Sequence, residues 1–471
     1  MLYLKNGYMI DPVSGTEGYR DILIKDGKIA RIIVPEDEMP EGAQTPLEKD
    51  GSGRESAAAA EDAGYGSSVA FMEEGKNGES ESAVRVKDGM EEIDLSGQIV
   101  APGLVDVHVH FRDPGFTHKE DICTGAKAAA RGGFTTVVLM ANTNPAVDNV
   151  ETLSDVLCRG KEADVHIHTC ANVTKGLAGR ALTDMELLSR HGAAGFTDDG
   201  IPLMDEALLR EALRRAAACG KPVSLHEENP ALITNNGINA GKAAQYYGIG
   251  GSPREAEISM VERDLQIAVE EQADLSIQHI STKEAVELVR QAKKKSGHIF
   301  AEAAPHHFTL TEDAVIKYGT LAKMNPPLRE EADRLAIIEG LRDGTIDMIA
   351  TDHAPHSAEE KAKPLTEAPS GIIGLETALS LGIRELVNRE YLSMAKLIEK
   401  MSCAPAKLYH LDAGYVAEGG PADLVVFDPK KEWVVKEFAS KSANSPFVGE
   451  TMPGVVSYTI CGGKIVYRRE G

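Results

Sequence analysis

The feature that most restricts the fold of this chain is a regular alternation of two kinds of segment from residue 98 onward. Short apolar runs such as TTVVLMAN and DLSIQHIS are each followed by a longer amphipathic run, here NVETLSDVLCRGKEA and KEAVELVRQAKKK. The short runs have the length and composition of buried strands, and the longer runs have the apolar spacing of helices. The pattern repeats as eight strand–helix units, in roughly the 250 residues that a parallel (β/α)8 barrel needs. We therefore predict an α/β fold in which residues 98–410 form a (β/α)8, TIM-like barrel.

The two ends of the chain have a different pattern. The N-terminus contains the alternating runs LYLKNGYMI and DILIKDGKIARIIV, and the C-terminus contains PADLVVFDP and VVSYTICGGKIVYR. The pairs Asp26-Gly27 and Gly462-Gly463 lie between apolar stretches, which is typical of tight turns in β-hairpins. We predict that residues 1–97 and 411–471 together build one small β-domain beside the barrel.

Residues 36–92 follow neither pattern, because they contain much Gly, Ser, Ala and Glu and almost no periodic apolar spacing. Residues 36–94 hold 17 Asp and Glu against 5 Lys and Arg, so this stretch carries −12 of the chain's formal charge of −23. Such a composition cannot bury enough apolar surface to offset the entropy lost on ordering. We predict a disordered acidic insertion within the β-domain, and a partner-binding arm is the alternative.

The overall charge and the cysteine pattern exclude several classes of protein. A chain with a formal charge of −23 lacks the basic face that binders of nucleic acid or anionic membranes need. The N-terminal MLYLKNGYMIDP has no basic region followed by an apolar one, and no apolar run approaches the ~18 residues of a spanning helix. The six cysteines are scattered without a CxxC pair, as expected for reduced thiols. We therefore expect a cytoplasmic protein.

Polar residues recur where the predicted barrel strands end, which is where barrels of this kind place their active sites. In VDVHVHFRDPG the alternation of a strand puts His108, His110 and Arg112 on one face. The other strand ends contribute Asp198-Asp199 (strand 4), His226 (strand 5), His279 (strand 6) and Asp352 (strand 8). Imidazoles and carboxylates of this kind suit zinc or manganese. Because they outnumber the three protein ligands of one catalytic zinc, we predict a pair of metals that share a carboxylate.

Other histidines are given no metal-binding role. His166 and His168 form a second HxH pair in DVHIHT, which we place beside no carboxylate at strand 3 and interpret as structural. His306 and His307 in APHHF are interpreted as packing or supporting groups. The histidines with no cluster around them are His118, His191, His298 and His410.

Several longer motifs bear a resemblance to a known family. PGLVDVHVHFRDPG, followed by KEDICTGAKAAARGGFTTV, resembles the opening of an amidohydrolase-superfamily barrel. The similarity continues in order through MANTNP, GFTDDG, HISTKE, PHHFTLTE, KMNPPLR and IATDHAPHS. HFRDPG together with NPPLR and TDHAPH is similar to the bacterial type I dihydroorotase family of cyclic amidohydrolases. The resemblance covers residues 1–34 and 95–471 and implies a metal-dependent hydrolase barrel.

The resemblance also implies a role for each matched residue. The implied ligands of two Zn²⁺ ions are His108 and His110 for one ion, His226 and His279 for the other, and the carboxylates of Asp199 and Asp352. Asp352 matches, in addition, the catalytic residue that carries the proton. The implied substrate contacts are Arg112, Asn142, Asn325 and His356.

The implied activity is that of a dihydroorotase. Such an enzyme interconverts N-carbamoyl-L-aspartate and L-dihydroorotate in de novo pyrimidine (UMP) biosynthesis, with a metal-activated hydroxide attacking the cyclic amide. The guanidinium of Arg112 could bind the substrate carboxylate through two hydrogen bonds. The implied partners are the small-molecule substrate, a second copy in a homodimer and, as a further association, aspartate transcarbamoylase. LHEEN at strand 5, Ala141 and Ser370 depart from the family pattern, remove no ligand, and could shift substrate preference.

Two alternatives remain beside this function. Hydantoinases and allantoinases resemble the chain in barrel and metals but usually bridge the metals with a carbamylated lysine from strand 4, whereas HGAAGFTDDGIP contains no lysine. A non-catalytic barrel that activates a partner such as aspartate transcarbamoylase would be expected to have lost ligands. All six predicted ligands are present in the sequence.

Overall fold

The computed structural model describes residues 1–35, 46–47 and 90–470. The predicted acidic insertion, residues 36–92, therefore lies outside the described residues except for positions 46–47 and 90–92. The strands of the described chain are β1 (Leu2–Asp11), β2 (Thr16–Lys25), β3 (Lys28–Ile33), β4 (Glu91–Asp94), β5 (Ile99–Pro102), β6 (Leu104–Val109), β7 (Phe134–Leu139), β8 (His166–Thr169), β9 (Val223–Leu225), β10 (Leu275–Ile277), β11 (Ile299–Ala303), β12 (Met348–Ile349), β13 (Leu424–Val434), β14 (Thr451–Cys461) and β15 (Lys464–Arg468).

Parallel strands close into the predicted barrel. β6, β7 and β8 form one parallel group, and β9, β10, β11 and β12 form a second. Phe196 joins the groups on one side by pairing with Ala171 and Val223, and His353 joins them on the other by pairing with Val109. Barrel strands 1 to 8 are thus β6, β7, β8, the segment around Phe196, and β9 to β12. The (β/α)8 prediction is confirmed.

Helices follow the barrel strands in the predicted order. The α-helices are α1 (Ile122–Gly132), α2 (Val150–Gly160), α3 (Met185–Arg190), α4 (Glu206–Ala218), α5 (Lys242–Tyr247), α6 (Arg254–Glu271), α7 (Lys283–Lys293), α8 (Pro305–Thr309), α9 (Asp313–Tyr318), α10 (Glu331–Asp343), α11 (Ala358–Lys361), α12 (Ala378–Gly382), α13 (Met394–Ile398) and α14 (Ala404–Leu408). Side-chain caps fix where several begin; Asp121, for example, accepts the backbone N–H of Thr124 at the start of α1. In the described part of the chain, no helix combines the length and apolar character needed to cross a membrane.

The terminal strands form one sheet from both ends of the chain, as predicted. Its order is β15-β14-β13-β5-β1-β2-β3, with β4 paired to β1. β5 lies in this sheet and not in the barrel, because it pairs with β1 and with β13. The barrel therefore begins at Leu104, not at residue 98. The apolar run IVAPGLVDVHV is two strands separated at Gly103, where a Cβ atom would lie 2.1 Å from Oγ1 of Thr135.

The predicted C-terminal boundary of the insertion also differs from the structure. Glu91 and Glu92 lie in β4, which pairs in parallel with the start of β1, and Ile93 is buried beneath them. A strand of four residues is too short to show a clear alternation of apolar and polar side chains. From the sequence alone, the two glutamates are therefore assigned to the acidic insertion. The barrel and the sheet are joined by hydrogen bonds such as the one that Thr459 Oγ1 donates to the carbonyl of Ala130 (2.6 Å).

Candidate metal centre and active site

The first barrel strand is tied to the eighth by a buried carboxylate. Asp106 accepts hydrogen bonds from the backbone N–H groups of His108 (3.0 Å) and Thr351 (3.1 Å). Burial raises the pKa of Asp106 to about 7, although these hydrogen bonds oppose the rise. The carboxylate therefore fixes the backbone on which His108 and His110 stand.

Asp199 lies at the centre of the predicted ligand set. Its Oδ1 is 3.5 Å from Nε2 of His108 and 4.0 Å from Nε2 of His279, and its Oδ2 is 3.4 Å from Nε2 of His110. Nδ1 of His226 lies 3.0 Å from Nε2 of His279. Two groups of ligand atoms, each within 4.8 Å of one another, share this carboxylate: His108, His110 and Asp199, and Asp199, His226 and His279.

Asp352 completes the cluster from the loop after β12. Its Oδ1 lies 3.1 Å from Nε2 of His110 and 3.6 Å from Nε2 of His108. The structure thus brings all six predicted ligands to the carboxyl ends of the barrel strands. Their assignment as metal ligands remains a prediction.

The chemistry of these side chains fits divalent metal ions. All six are buried, and Nε2 of His108 has no hydrogen-bond partner among the described residues, although buried polar atoms usually have one. Burial would raise the pKa of Asp199, but the positive imidazole of His108 holds it well below its usual value. Burial would likewise lower the pKa of His108, but the carboxylates of Glu302 and Asp199 raise it well above its usual value. In the metal-free chain a proton therefore balances the negative charge that a metal ion would balance.

Three predicted site residues have left-handed backbone angles. The φ angles are +58° at Arg112, +31° at His279 and +47° at Asp352. Non-glycine residues in this region cost about 1–3 kcal/mol each and persist only where the surrounding structure fixes them. Each lies within three residues of the end of a barrel strand, so the strain is confined to the turns that enter the site.

Glu302, on β11, is a site residue that the sequence analysis does not single out. Nδ1 of His108 donates a hydrogen bond to its Oε1 (2.5 Å), and the backbone N–H of His279 donates to the same atom (3.3 Å). Because this hydrogen bond keeps a proton on Nδ1, Nε2, which faces Asp199, is the nitrogen whose lone pair a metal ion would take once the other imidazolium proton has left. The available signal was a single acidic residue within the otherwise apolar strand IFAEA.

Two of the predicted substrate contacts hydrogen-bond to the ligand cluster. Oδ1 of Asn142 accepts from Nδ1 of His110 (3.0 Å), and its Nδ2 donates to Oδ2 of Asp199 (3.0 Å). Nδ2 of Asn325 donates to Nε2 of His226 (3.2 Å). Both asparagines therefore position predicted metal ligands in this structure.

The other two predicted contacts, Arg112 and His356, differ in charge. Nε of Arg112 donates to the carbonyl of Pro355 (3.3 Å), and Nε2 of His356 donates to the carbonyl of Ser370 (2.8 Å). Burial and the positive charge of Arg112 lower the pKa of His356 to about 2, so this imidazole is neutral. Arg112 is therefore the cationic member of the predicted substrate contacts.

Asn444 is a second residue that sequence reasoning missed. Its Oδ1 accepts the backbone N–H of His356 (3.0 Å), and its Nδ2 donates to the carbonyls of Ala354 (3.0 Å) and Gly371 (3.1 Å). It thereby fastens the loop that carries His356 to the loop around residue 371. Asn444 and His356 are 88 positions apart in the chain, so no local pattern indicates the contact.

Asp198 and His307, which were not predicted to be metal ligands, make hydrogen bonds outside the ligand cluster. The carboxylate of Asp198 accepts the backbone N–H of Thr174 (3.1 Å), on the opposite side of the strand from Asp199. Nε2 of His307 donates to the carbonyl of Pro326 (3.0 Å), and the role of His307 as a packing or supporting group stays a prediction.

His166 differs from the interpretation made from the sequence. Its Nε2 lies 3.0 Å from Oδ2 of Asp423, so a carboxylate does stand beside it. Asp423 is 257 positions away in the chain. The contact exists because the C-terminal strands of the sheet cover the amino-terminal end of β8, an arrangement that the local sequence does not reveal.

Comparison with known proteins identifies the family of this chain. Residues 99–466 match the model of the Amidohydrolase family. The chain is 50% identical over 467 residues to the dihydroorotase of Clostridioides difficile (strain 630), with 99% of this chain and 100% of the relative covered. It is 46% identical over 470 residues to the dihydroorotase of Streptococcus pneumoniae serotype 4, again with 99% and 100% covered.

Solved structures with the same fold include two hydantoinases. The L-hydantoinase (dihydropyrimidinase) from Arthrobacter aurescens has a TM-score of 0.80 and 25% identity, covering 100% of this chain and 96% of that one. A D-hydantoinase has a TM-score of 0.77 and 22% identity, covering 98% and 94%, and this likeness shows the fold alone. The identity to the dihydroorotases is about twice as high over a similar share of the chain. The chain therefore belongs to the amidohydrolase family of metal-dependent hydrolases and, within that family, to the dihydroorotases.

Proposed function

We propose that this chain closes N-carbamoyl-L-aspartate to L-dihydroorotate with loss of water, and hydrolyses the ring in the reverse direction, as a step of de novo pyrimidine biosynthesis. The observation that carries the proposal is the position of Asp199, whose oxygens stand between His108 and His110 on one side and His279 on the other. Relatives named dihydroorotases at 45% to 50% identity over 99% of the chain support it.

We assign two Zn²⁺ ions to this site. One would be held by His108 and His110, the other by His226 and His279, with Asp199 shared between them and Asp352 as a further ligand. Zinc, when bound, lowers the pKa of water towards about 7 and polarises a carbonyl oxygen. Glu302 accepts Nδ1–H of His108, and Asn142 accepts Nδ1–H of His110, so each Nε2 presents its lone pair to the cluster.

Arg112 would bind the carboxylate of the substrate. Its guanidinium is a planar, always charged fork that can donate two parallel hydrogen bonds to a carboxylate. His356 stays neutral beside it and can contribute a hydrogen bond without adding charge. Asn142 and Asn325, next to the ligands, would contact the ring amide from the metal side.

Asp352 would move the proton. In hydrolysis its carboxylate oxygen takes a proton from the attacking water and delivers it to the amide nitrogen as the C–N bond breaks. Ring closure is the reverse: the same carboxylate takes a proton from the carbamoyl nitrogen as the C–N bond forms and returns it to the departing hydroxyl, which leaves as water. Its Oδ1 lies 3.1 Å from Nε2 of His110, within the cluster.

A hydantoinase-like activity is the second candidate, because the solved L-hydantoinase shares the fold at a TM-score of 0.80. The strand-4 segment weighs against it, since residues 191–202 contain no lysine for carbamylation. Lys175 lies in the connection that follows β8, and Lys221 lies before β9, at the other end of the barrel.

An ultraviolet assay of ring opening with dihydroorotate, hydantoin and allantoin tests the proposed function. We expect turnover of dihydroorotate to exceed that of both neutral rings by orders of magnitude. Faster turnover of hydantoin or allantoin would favour the second candidate instead.

We further propose, from the family resemblance, that the chain forms a homodimer and can associate with aspartate transcarbamoylase. Light scattering coupled to size-exclusion chromatography measures the first, and co-sedimentation of the two purified enzymes measures the second. A monomer at assay concentration would contradict the dimer, and sedimentation of each enzyme at its own rate would contradict the association.

A further inference from the structure

A second group of metal-binding side chains lies at the other end of the barrel from Asp199. His166 begins β8, Asp423 directly precedes β13, and Cys461 ends β14. An imidazole nitrogen, a carboxylate oxygen and the thiol sulfur of these residues lie within 4.8 Å of one another. We propose that they bind one zinc ion, which fastens the terminal sheet to the barrel.

The distances are close to those of a zinc site. Nε2 of His166 lies 3.0 Å from Oδ2 of Asp423, whereas ligand atoms about 2.0–2.2 Å from a tetrahedral zinc stand about 3.4 Å apart. A shift of a few tenths of an ångström would admit the ion. The carboxylate is already oriented, because its Oδ1 accepts the backbone N–H of Gly462 (2.6 Å) and its Oδ2 is left for a cation.

The group keeps the same charge with and without the ion. In the metal-free chain, Nε2 of His166 lies 3.0 Å from Oδ2 of Asp423, so a protonated imidazole there balances the carboxylate. Zinc would displace the imidazolium proton and the thiol proton, both of which pass to solvent. The two positive charges of the zinc ion would then balance the carboxylate of Asp423 and the thiolate of Cys461. This balance matters because Asp423 and Cys461 are buried, and an unpaired buried charge is costly.

The ion has a way in and room for a further ligand. A cavity of about 990 Å³ borders the group and is lined by His166, His168, Cys158 and Cys461 among others. The side chain of His166 is 47% exposed, so the imidazole can turn towards an entering ion. Three protein ligands leave the fourth tetrahedral position facing the cavity, where water can occupy it. Imidazole, carboxylate and thiolate together favour zinc over hard cations, which prefer oxygen alone.

The three ligands come from the start of β8, the residue before β13 and the end of β14. β8 belongs to the barrel, whereas β13 and β14 belong to the terminal sheet. An ion that binds only the folded arrangement stabilises it by mass action. The site would therefore link zinc concentration to the attachment of the C-terminal strands, independently of the reaction at the opposite end.

Titration of the purified holoenzyme with Co²⁺ tests the site, because a thiolate ligand gives cobalt an intense sulfur-to-metal absorption in the near ultraviolet. The six ligands proposed for the active site include no cysteine, so the band reports the second site alone. We expect the band in the wild type and in the matched variant Cys158→Ser, whose thiol borders the same cavity. We expect no band in Cys461→Ser or His166→Asn, with dihydroorotate turnover retained in all three variants.

Protection of the thiol gives a measurement that needs no variant. Alkylation of Cys461 by iodoacetamide, quantified by peptide mass mapping of the wild type, should fall severalfold when zinc is present. Alkylation of Cys123, an exposed thiol, should not change. A wild type without the sulfur–cobalt band, a band that survives Cys461→Ser, or equal labelling of Cys461 with and without zinc would each overturn the proposal.

Discussion

Nδ1 of His108 donates a hydrogen bond to Oε1 of Glu302 across 2.5 Å, inside the barrel. This contact keeps a proton on Nδ1, so Nε2, which faces Asp199, is the nitrogen that becomes free to bind a metal ion when the imidazolium loses its other proton. Glu302 also accepts the backbone N–H of His279, so one carboxylate supports residues from both halves of the predicted ligand set.

Glu302→Gln should lower zinc affinity and turnover by about 10- to 100-fold, because a neutral amide holds and polarises the imidazole less well than a carboxylate. Competition titration with a zinc chelator measures the affinity. The matched control is Glu312→Gln, a buried carboxylate that accepts from Asn239 (3.0 Å) and Ala243 (3.1 Å) outside the ligand cluster. Equal losses in the two variants would mean that the effect is general destabilisation.

Substitution of Asp199 and substitution of Asp198 should have clearly different effects on metal content. Asp199→Ala should lose at least one metal ion per chain and most turnover, because its oxygens are the ones between the histidines. Asp198→Ala should keep its metals, since that carboxylate faces Thr174. Metal analysis of both proteins makes the test. Reconstitution of the metal-free wild type with zinc should need no bicarbonate, and a bicarbonate requirement would revive a carbamylated-lysine centre.

Arg112→Met should affect charged substrates far more than neutral ones. Loss of a charge-assisted, two-point contact should reduce kcat/KM for dihydroorotate by about 10²–10³-fold, or roughly 3–4 kcal/mol of transition-state binding. Arg112→Lys keeps the positive charge but loses the planar guanidinium, so its kcat/KM for dihydroorotate should lie between those of the wild type and Arg112→Met. Similar losses for dihydroorotate and a neutral cyclic amide would exclude the carboxylate contact.

Asn444→Ala should raise KM for dihydroorotate while leaving bound metal unchanged. The substitution leaves the buried N–H of His356 and the carbonyls of Ala354 and Gly371 without their partner, at a stability cost of about 1–3 kcal/mol. Steady-state kinetics together with metal analysis distinguishes weaker substrate binding from loss of the metal ions. Metal loss equal to that of Asp199→Ala would show that Asn444 supports the centre and not the substrate loop.

The His166–Asp423 pair should make stability depend on pH when a chelator keeps zinc away. The folded-state pKa of His166 is raised to about 10, and the unfolded value is about 6.5. The folded chain therefore binds more protons between these values, so the pair's contribution is complete below about pH 6.5 and disappears as the pH rises through about 10. Because the side chain is 47% exposed, that contribution should be about 1 kcal/mol or less.

Urea unfolding of the wild type and of His166→Gln across this range measures the contribution. The difference in the free energy of unfolding should shrink as the pH rises. A difference that grows with pH would contradict the sign of the pKa shift.

Periodicity in the sequence predicts the barrel, and the barrel predicts where His108, Asp199 and Asp352 must lie. Parallel strands in a closed ring bring their carboxyl ends to one mouth, so polar residues at those ends become neighbours whatever their separation in the chain. The same reasoning misplaced the start of the barrel. Strands are predicted from apolar runs, and the apolar run through Gly103 contains two strands that belong to different sheets.

Contacts between distant segments could not be predicted in this way. Glu302 is 194 positions from His108, and Asp423 is 257 positions from His166. Nothing local marks these pairs, because each forms only when two separately patterned parts of the chain are packed together. The left-handed backbone at Arg112 (φ +58°) could not be predicted either, because the position holds neither glycine nor asparagine, the residues that usually mark this conformation.

The order of strands in the terminal sheet bears on how the protein is made. β5 ends at Pro102, but the strand that covers its free edge, β13, begins at Leu424, about 320 residues later. At about 5–20 residues per second, a ribosome needs on the order of tens of seconds to supply it. During that time the nascent chain carries an uncovered strand edge, the kind of surface that pairs with other nascent chains. β5 has only four residues and ends in a proline, which has no N–H to donate, so the exposed edge offers a neighbour little to bind while synthesis continues.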